Sequence, residues 1–191
     1  MYLCGLCNSS AVEGISIRHA VAGDARQIAI VHVDSWRATY TGLIDPEVLS
    51  ALSYDSREAR WLEWIAEKKS NILVAQKDDD GKIIGFCSSG PTTDRDPRFS
   101  SEIYALYLLP EYQRKGIGRE LVRLTASQLI TDGFNSAMTW VLADNPSRKF
   151  YESLGGKVIR SRAITIGSSD IEELNYGWDD LKLLQSGRAR I

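Results

Sequence analysis

Apolar positions along the 191-residue chain change their spacing several times, and each change marks an element. Ile15 to Ala20 alternates apolar and polar residues, the period-two pattern of a half-buried strand. Gly23-Asp24 then opens a helix, with Asp24 placed to cap it and Ile28, Val31, His32 and Ser35 returning at helical spacing. That pattern runs through Trp36 to Tyr40 and stops at Gly42. Pro46 suits the first turn of another helical stretch, and Asp55 to Lys68 carries Trp61, Leu62, Trp64 and Ile65 on one side of a further helix. Ile72 to Ala75 and Lys82 to Ser89 are strand-like runs joined through Asp78-Asp79-Asp80-Gly81, a hairpin. A polar loop from Pro91 to Ser100 leads to Glu102–Leu109, an apolar, aromatic run read as a buried strand that Pro110 ends. An amphipathic helix over Ile117–Ile130, a strand over Ala137–Ala143 and a helix over Pro146–Leu154 follow. Gly155-Gly156 stops that helix, and strands near Lys157–Ile166 and Ile171–Trp178 complete the series. The order β-α-α-β-β-β-α-β-α-β-β, with no repeat and no low-complexity linker, predicts an α/β fold: a mixed sheet with helices on its faces. Residues 1–14 lack periodicity and read as an N-terminal extension, 15–185 as one domain and 186–191 as a tail.

Composition narrows the function classes. At 43% hydrophobic and 25% charged residues the chain matches an ordinary globular domain. Twenty-three basic against 25 acidic side chains leave a net charge of −2, with no basic field for a nucleic-acid backbone. No apolar run reaches the ~20 residues that span a bilayer, and Met1-Tyr2-Leu3-Cys4 has none of the features of a signal peptide. The expectation is a cytoplasmic protein with neither a nucleic-acid nor a membrane partner. Cys4 and Cys7 form a lone C-x-x-C, and His19 and His32 do not supply the second ligand pair that zinc requires, so no metal is expected. Cys87, inside a strand, reads as a small core residue.

The chemistry concentrates between Leu108 and Arg119. A buried strand ends at a proline, a short turn follows, and Gly116 and Gly118 stand where a helix begins. The first helical turn has backbone N–H groups without intrahelical partners, and the helix dipole makes that end partly positive. Glycines admit a bulky anion to the backbone, and Arg114, Lys115 and Arg119 add cationic charge, so the segment outlines a diphosphate site. It is not a P-loop, because the lysine precedes its glycine, nor a dinucleotide fingerprint, because Leu121 occupies the third small position.

The run Gln113-Arg114-Lys115-Gly116-Ile117-Gly118 resembles the Gln/Arg-x-x-Gly-x-Gly/Ala pyrophosphate motif of the GNAT superfamily of acyl-CoA-dependent N-acetyltransferases. The stretch from Asn145 to Gly155, with Phe150-Tyr151-Glu152, is similar to that family's later Asn…Phe-Tyr-Glu-x-x-Gly signature. Its Asn145-to-Tyr151 spacing is six positions where the family commonly has seven. In element order the resemblance spans Ser16 to about Leu184.

The resemblance implies a single GNAT-like domain built on a mostly antiparallel central sheet flanked by helices. It implies transfer of an acetyl group from acetyl-CoA, the co-substrate, to a primary amine within a ternary complex. Leu106, Tyr107 and Leu108 would present backbone groups to the pantetheine arm, Gln113, Arg114, Lys115, Gly116, Ile117, Gly118 and Arg119 would hold the pyrophosphate, and Asn145 would add a cofactor contact. Tyr151 would protonate the leaving thiolate, and Glu102, eleven positions before Gln113, would act as base. Trp36 and Tyr40, on one helical face, would line the acceptor pocket. Without the resemblance, Tyr151, Trp36 and Tyr40 also read as core aromatics and Glu102 as a solvated strand-end carboxylate. The acceptor expected is a small-molecule amine, and homodimers are frequent in the superfamily. The competing reading is a non-catalytic acyl-CoA-binding sensor with the same fold.

Overall fold

A computed structural model of the protein describes residues 12–186. The elements follow in the order β1 (Ile15–His19), α1 (Ala25–Tyr40), α2 (Pro46–Ser50), α3 (Tyr54–Glu67), β2 (Asn71–Lys77), β3 (Ile83–Pro91), β4 (Ser101–Leu108), α4 (Ile117–Thr131), β5 (Ala137–Leu142), α5 (Arg148–Ser153), β6 (Lys157–Ile166), β7 (Ser169–Trp178) and α6 (Leu181–Gln185). The Cys4–Cys7 pair lies outside the described residues.

All seven strands join one sheet in the order β1-β2-β3-β4-β5-β7-β6. Every neighbouring pair is antiparallel except β4–β5, so the sheet is mixed, as the alternation of hairpins and crossover helices requires. One face is covered by α4, whose Ile117, Leu121, Val122, Ala126 and Leu129 pack on Leu73, Cys87 and Ile103. The other is covered by α1 and α3, with Ile28, Val31 and Trp61 against Val74 and Phe86. A third apolar cluster joins Ile44 and Leu49 around α2 to Leu142, Ile164, Ile166 and Ile171, so the β6–β7 hairpin reaches back to the end of α1.

Two local expectations need correcting. Asp24 does not cap α1 with its side chain, because a 3-10 turn over Ala22–Asp24 precedes the helix and begins at Val21. The Asp24 carboxylate therefore turns back to accept Val21 N at 2.8 Å and the Arg18 guanidinium at 2.6 and 2.9 Å. The sequence pattern also missed α6, a single turn capped by Asp180 whose buried Leu181 and Leu184 join the core beneath α4. Five residues are too few for a helical period to register. Trp178 belongs to the core and donates its indole N–H to Leu154 O, and the Cys87 thiol is buried, its pKa pushed up to about 12 by desolvation. No described helix is long and apolar enough to cross a membrane.

Candidate active site

The site begins with a failure of pairing. β4 and β5 are partners at only two positions, Ser101↔Ala137 and Glu102↔Met138. Beyond them β5 continues with β7, and Thr139 Oγ1 reaches across to donate to Ile103 O at 2.9 Å. From there to Leu108, β4 turns a row of backbone groups toward an opening instead of a strand. Such groups seek a hydrogen-bonding partner, and an extended amide-bearing chain is the natural one. A register shift opposite Ser88/Ser89 places a bulge at Tyr104, which is how the strand bends away.

The cleft so formed holds about 80 Å³ and is lined by Leu106, Tyr107, Leu108, Gln113, Asn145 and Tyr151 among others. All six were singled out from the sequence, and here they come together. Gln113 Nε2 donates to Leu108 O at 3.0 Å and Ser35 Oγ to the same carbonyl at 3.3 Å, which ties the strand end to the following turn and to α1. The turn then enters α4. Arg114 (φ 61°) and Gly116 (φ 85°) adopt left-handed backbone conformations that bring the chain around within four residues. Gly116 caps α4 without a side chain, so the first-turn amides from Ile117 onward look outward. Gly118 serves a second purpose: a β-carbon there would meet Leu108 at 3.3 Å and the Phe150 ring at 3.6 Å. Its smallness lets α4 close on the cleft. Arg114 and Lys115 are exposed beside this helix start, and Lys115 lies over the Tyr112 ring at 5.4 Å.

Tyr151 stands at the inner end of the cleft on α5, against Phe150, Tyr176 and Trp178. Burial, above all, raises its pKa, with Cys87 and Tyr40 adding to the effect, so the phenol keeps its proton at neutral pH. Asn145 is buried, and its Oδ1 accepts Ser147 N at 2.8 Å, which shapes the turn into α5. The Asn145 amide and the Tyr107 hydroxyl both interact with the Tyr40 hydroxyl. Trp36 Nε1 donates to Tyr107 OH at 2.8 Å, and the Trp36 and Tyr40 rings pack edge-on at 5.0 Å. Behind Tyr107 lies His32, stacked on it at 5.1 Å and walled by Trp36, Trp61 and Phe86, with Nδ1 buried and unpartnered. Desolvation, helped by Arg57, depresses the His32 pKa to about 3.

Glu102 sits elsewhere. It lines a neighbouring cavity of about 320 Å³ with Asp94, Arg95, Trp140 and Arg162. Burial raises its pKa, a Thr92 hydroxyl hydrogen bond opposes that, and Asp94 adds to the rise. A third cavity, about 190 Å³, lies between α1 and the hairpin and is lined by Trp36, Tyr40, Trp140, Glu173 and a set of aliphatic residues. Trp140 borders all three cavities, with the Arg162 guanidinium 3.9 Å above its ring. Sequence reasoning missed Trp140, Arg162 and Glu173. Trp140 could have been noticed as the one aromatic in an aliphatic strand, whereas the roles of Arg162 and Glu173 depend on pairing between β6 and β7 that no local pattern encodes.

A split sheet opening onto a glycine-bearing helix start defines an acyl-CoA-dependent N-acetyltransferase. The acetyltransferase (GNAT) family model matches residues 34–156, and the chain belongs to that family. Its relatives include the uncharacterized N-acetyltransferase YuaI of Bacillus subtilis, 36% identical over 90% of this chain and 97% of that protein. The spermidine N(1)-acetyltransferase of Thermoplasma acidophilum is 28% identical over 85% of this chain and 98% of its own length. Among solved structures, PaiA N-acetyltransferase from Thermoplasma acidophilum in complex with coenzyme A superposes with a TM-score of 0.67 at 26% identity, covering 83% of this chain and 97% of that one.

Proposed function

We propose that the protein transfers the acetyl group of acetyl-CoA to a primary amine of a small molecule, by direct attack within a ternary complex. The observation that carries this reading is the opening between β4 and β5, which runs from Leu108 and Gln113, beside the start of α4, to Tyr151. Acetyl-CoA fits the residues present. Its diphosphate matches the outward amides of Gly116–Arg119 with Arg114 and Lys115 beside them. Its pantetheine amides match the unpaired edge of β4 at Leu106–Leu108. The thioester supplies the activated acyl group.

The chain's own residues then have distinct tasks. Tyr151, protonated at neutral pH, gives its proton to the departing sulfur as charge develops there. Glu102, whose pKa burial raises, takes a proton from the acceptor ammonium in its carboxylate form, and the free amine then attacks the thioester. Because Glu102 and Tyr151 border different cavities joined only at Trp140, that transfer runs through water. No covalent acetyl-enzyme is invoked, since Cys87 is buried in the core with its thiol held protonated. The polyamine substrate in the name of one relative supports a small-molecule acceptor here.

The test is release of CoA thiol from acetyl-CoA against a panel of amines, with the melting temperature followed in parallel. Amine-dependent thiol release supports the enzyme. A melting temperature raised by acetyl-CoA with no release from any amine would make the protein a non-catalytic acyl-CoA sensor instead.

A further inference from the structure

We infer that the acceptor is a monoamine carried on an apolar body about the size of a phenyl ring, and that this body occupies the cavity between α1 and the β6–β7 hairpin. The inference rests on the acetyl-transfer reading and names the substrate class for it. The cavity shares Tyr40, Trp140 and Val141 with the cleft that Tyr151 lines, so a ligand filling it projects its far end toward the position of the thioester. Its walls are Trp36, Ile44, Leu142, Ile164 and Ile166, brought together from α1, the segment after it, β5 and β6. At about 190 Å³ it is larger than an apolar cavity of ~150 Å³ that takes up benzene. The hairpin roof is held in place, because Ser168 donates both its backbone N–H, at 3.0 Å, and its hydroxyl, at 2.5 Å, to Asp45 Oδ2.

Charge argues against a polyamine. The carboxylate lining this cavity belongs to Glu173, and it is already engaged by Arg162 Nε at 2.5 Å. In the adjoining cavity Asp94 is paired with Arg160, and Arg95 and the Glu173-bound Arg162 stand next to Glu102. A second or third ammonium lodged in the apolar cavity would therefore leave water for aliphatic and aromatic walls and a carboxylate already paired to Arg162, at a cost in desolvation. A single amine faces no such demand.

The experiment uses the full chain with saturating acetyl-CoA and follows thiol release for ethylamine, propylamine, butylamine and phenethylamine beside spermidine. The expected result is a kcat/KM that climbs about fourfold per methylene, highest for butylamine and phenethylamine and at least tenfold lower for spermidine. Ile164→Glu should cut phenethylamine turnover by more than tenfold while acetyl-CoA still raises the melting temperature as in the parent. Should that variant misfold, Ile164→Ala should flatten the methylene ladder without adding charge. A flat ladder, or spermidine as the best acceptor, overturns the apolar subsite and leaves acetyl transfer standing. Release from no amine at all, with acetyl-CoA bound, overturns acetyl transfer and this inference with it.

Discussion

The cleft and the apolar cavity beside it share Trp140, yet they are built by different means. The cleft joins the end of β4 and the turn after it, which supply its longest continuous stretch, to residues of α1, β5 and α5. Its binding groups are mostly backbone: the unpaired edge of β4 and the first-turn amides of α4. The cavity draws its walls from α1, the segment after it, β5, β6 and β7, and the residues that line it are large aromatic and aliphatic ones with Glu173. A site of backbone groups needs little from the sequence beyond glycines and a strand that ends on cue. A site of side chains changes with every substitution. One fold can thus keep its cofactor while its acceptor varies, and perturbations of the two regions should separate cleanly.

The largest separation should come from Gly118→Asp. The added carboxylate projects from the first turn of α4, where phosphate has to approach, and crowds Leu108 and Phe150. Acetyl-CoA should then no longer raise the melting temperature, a loss of about 2.7 kcal/mol of linked stabilisation at ligand a hundred times above Kd. Gly118→Ala, which crowds without adding charge, should retain most of the shift. An undiminished shift in the aspartate variant would move the diphosphate away from α4.

Next in size is Tyr151→Phe, which keeps the ring and its packing but removes the acid. We expect kcat to fall on the order of 10²-fold with acetyl-CoA affinity preserved, at the low end for general acid catalysis because a thiolate already leaves readily. Retention of more than half the parent kcat with chemistry rate-limiting would return Tyr151 to the role of a packing aromatic.

His32 lies behind Tyr107, which lines the cleft. Its folded pKa of about 3 lies below the unfolded value of about 6.5, so protonation favours the unfolded chain. Stability present above pH 6.5 should fall as the pH drops below it, by roughly 1.4 kcal/mol per unit and so about 2 kcal/mol at pH 5. Thermal melts of the parent and of His32→Leu across pH 5 to 7 measure this, and the leucine variant should lose that part of the slope. Equal slopes would mean that His32 gains a proton partner the folded protein does not display.

The smallest effect belongs to Glu102→Gln. Acting through water, the carboxylate should contribute about tenfold to turnover, with acetyl-CoA affinity unchanged and the acidic limb of the pH profile lost. In the parent that limb should lie above the usual carboxylate range, because burial raises the Glu102 pKa. An unaltered profile in the glutamine variant would leave Glu102 as a strand-end carboxylate and pass proton removal to solvent.

How much of this was legible follows from the kind of signal each part carries. Strands β1 to β7 and the longer helices announce themselves by period, and α4 does so with its glycines and basic residues in one run. Leu106 to Leu108, Gln113, Asn145 and Tyr151 were therefore found in the sequence and meet in one cleft. Trp36 and Tyr40 could be placed on one helical face but not against a particular cavity, since that depends on how far the β6–β7 hairpin reaches. Glu102 shows the limit in the other direction. Its offset from Gln113 is visible along the chain, but the bulge at Tyr104 and the two-position pairing with β5 decide which cavity it enters.

By itself, then, the sequence determined the succession of elements, the two-sided covering of the sheet and the anion-binding start of α4, because periodicity, turn chemistry and helix termini act over a few residues. Tertiary structure alone decided where β4 and β5 part, that Trp140 borders three cavities with Arg162 over its ring, and that Ile164 and Ile166 line one cavity with Trp36. Those features arise from which strands neighbour one another and in what register, and pairing between distant segments is set by the free energy of the whole packed sheet, not by any window of the chain.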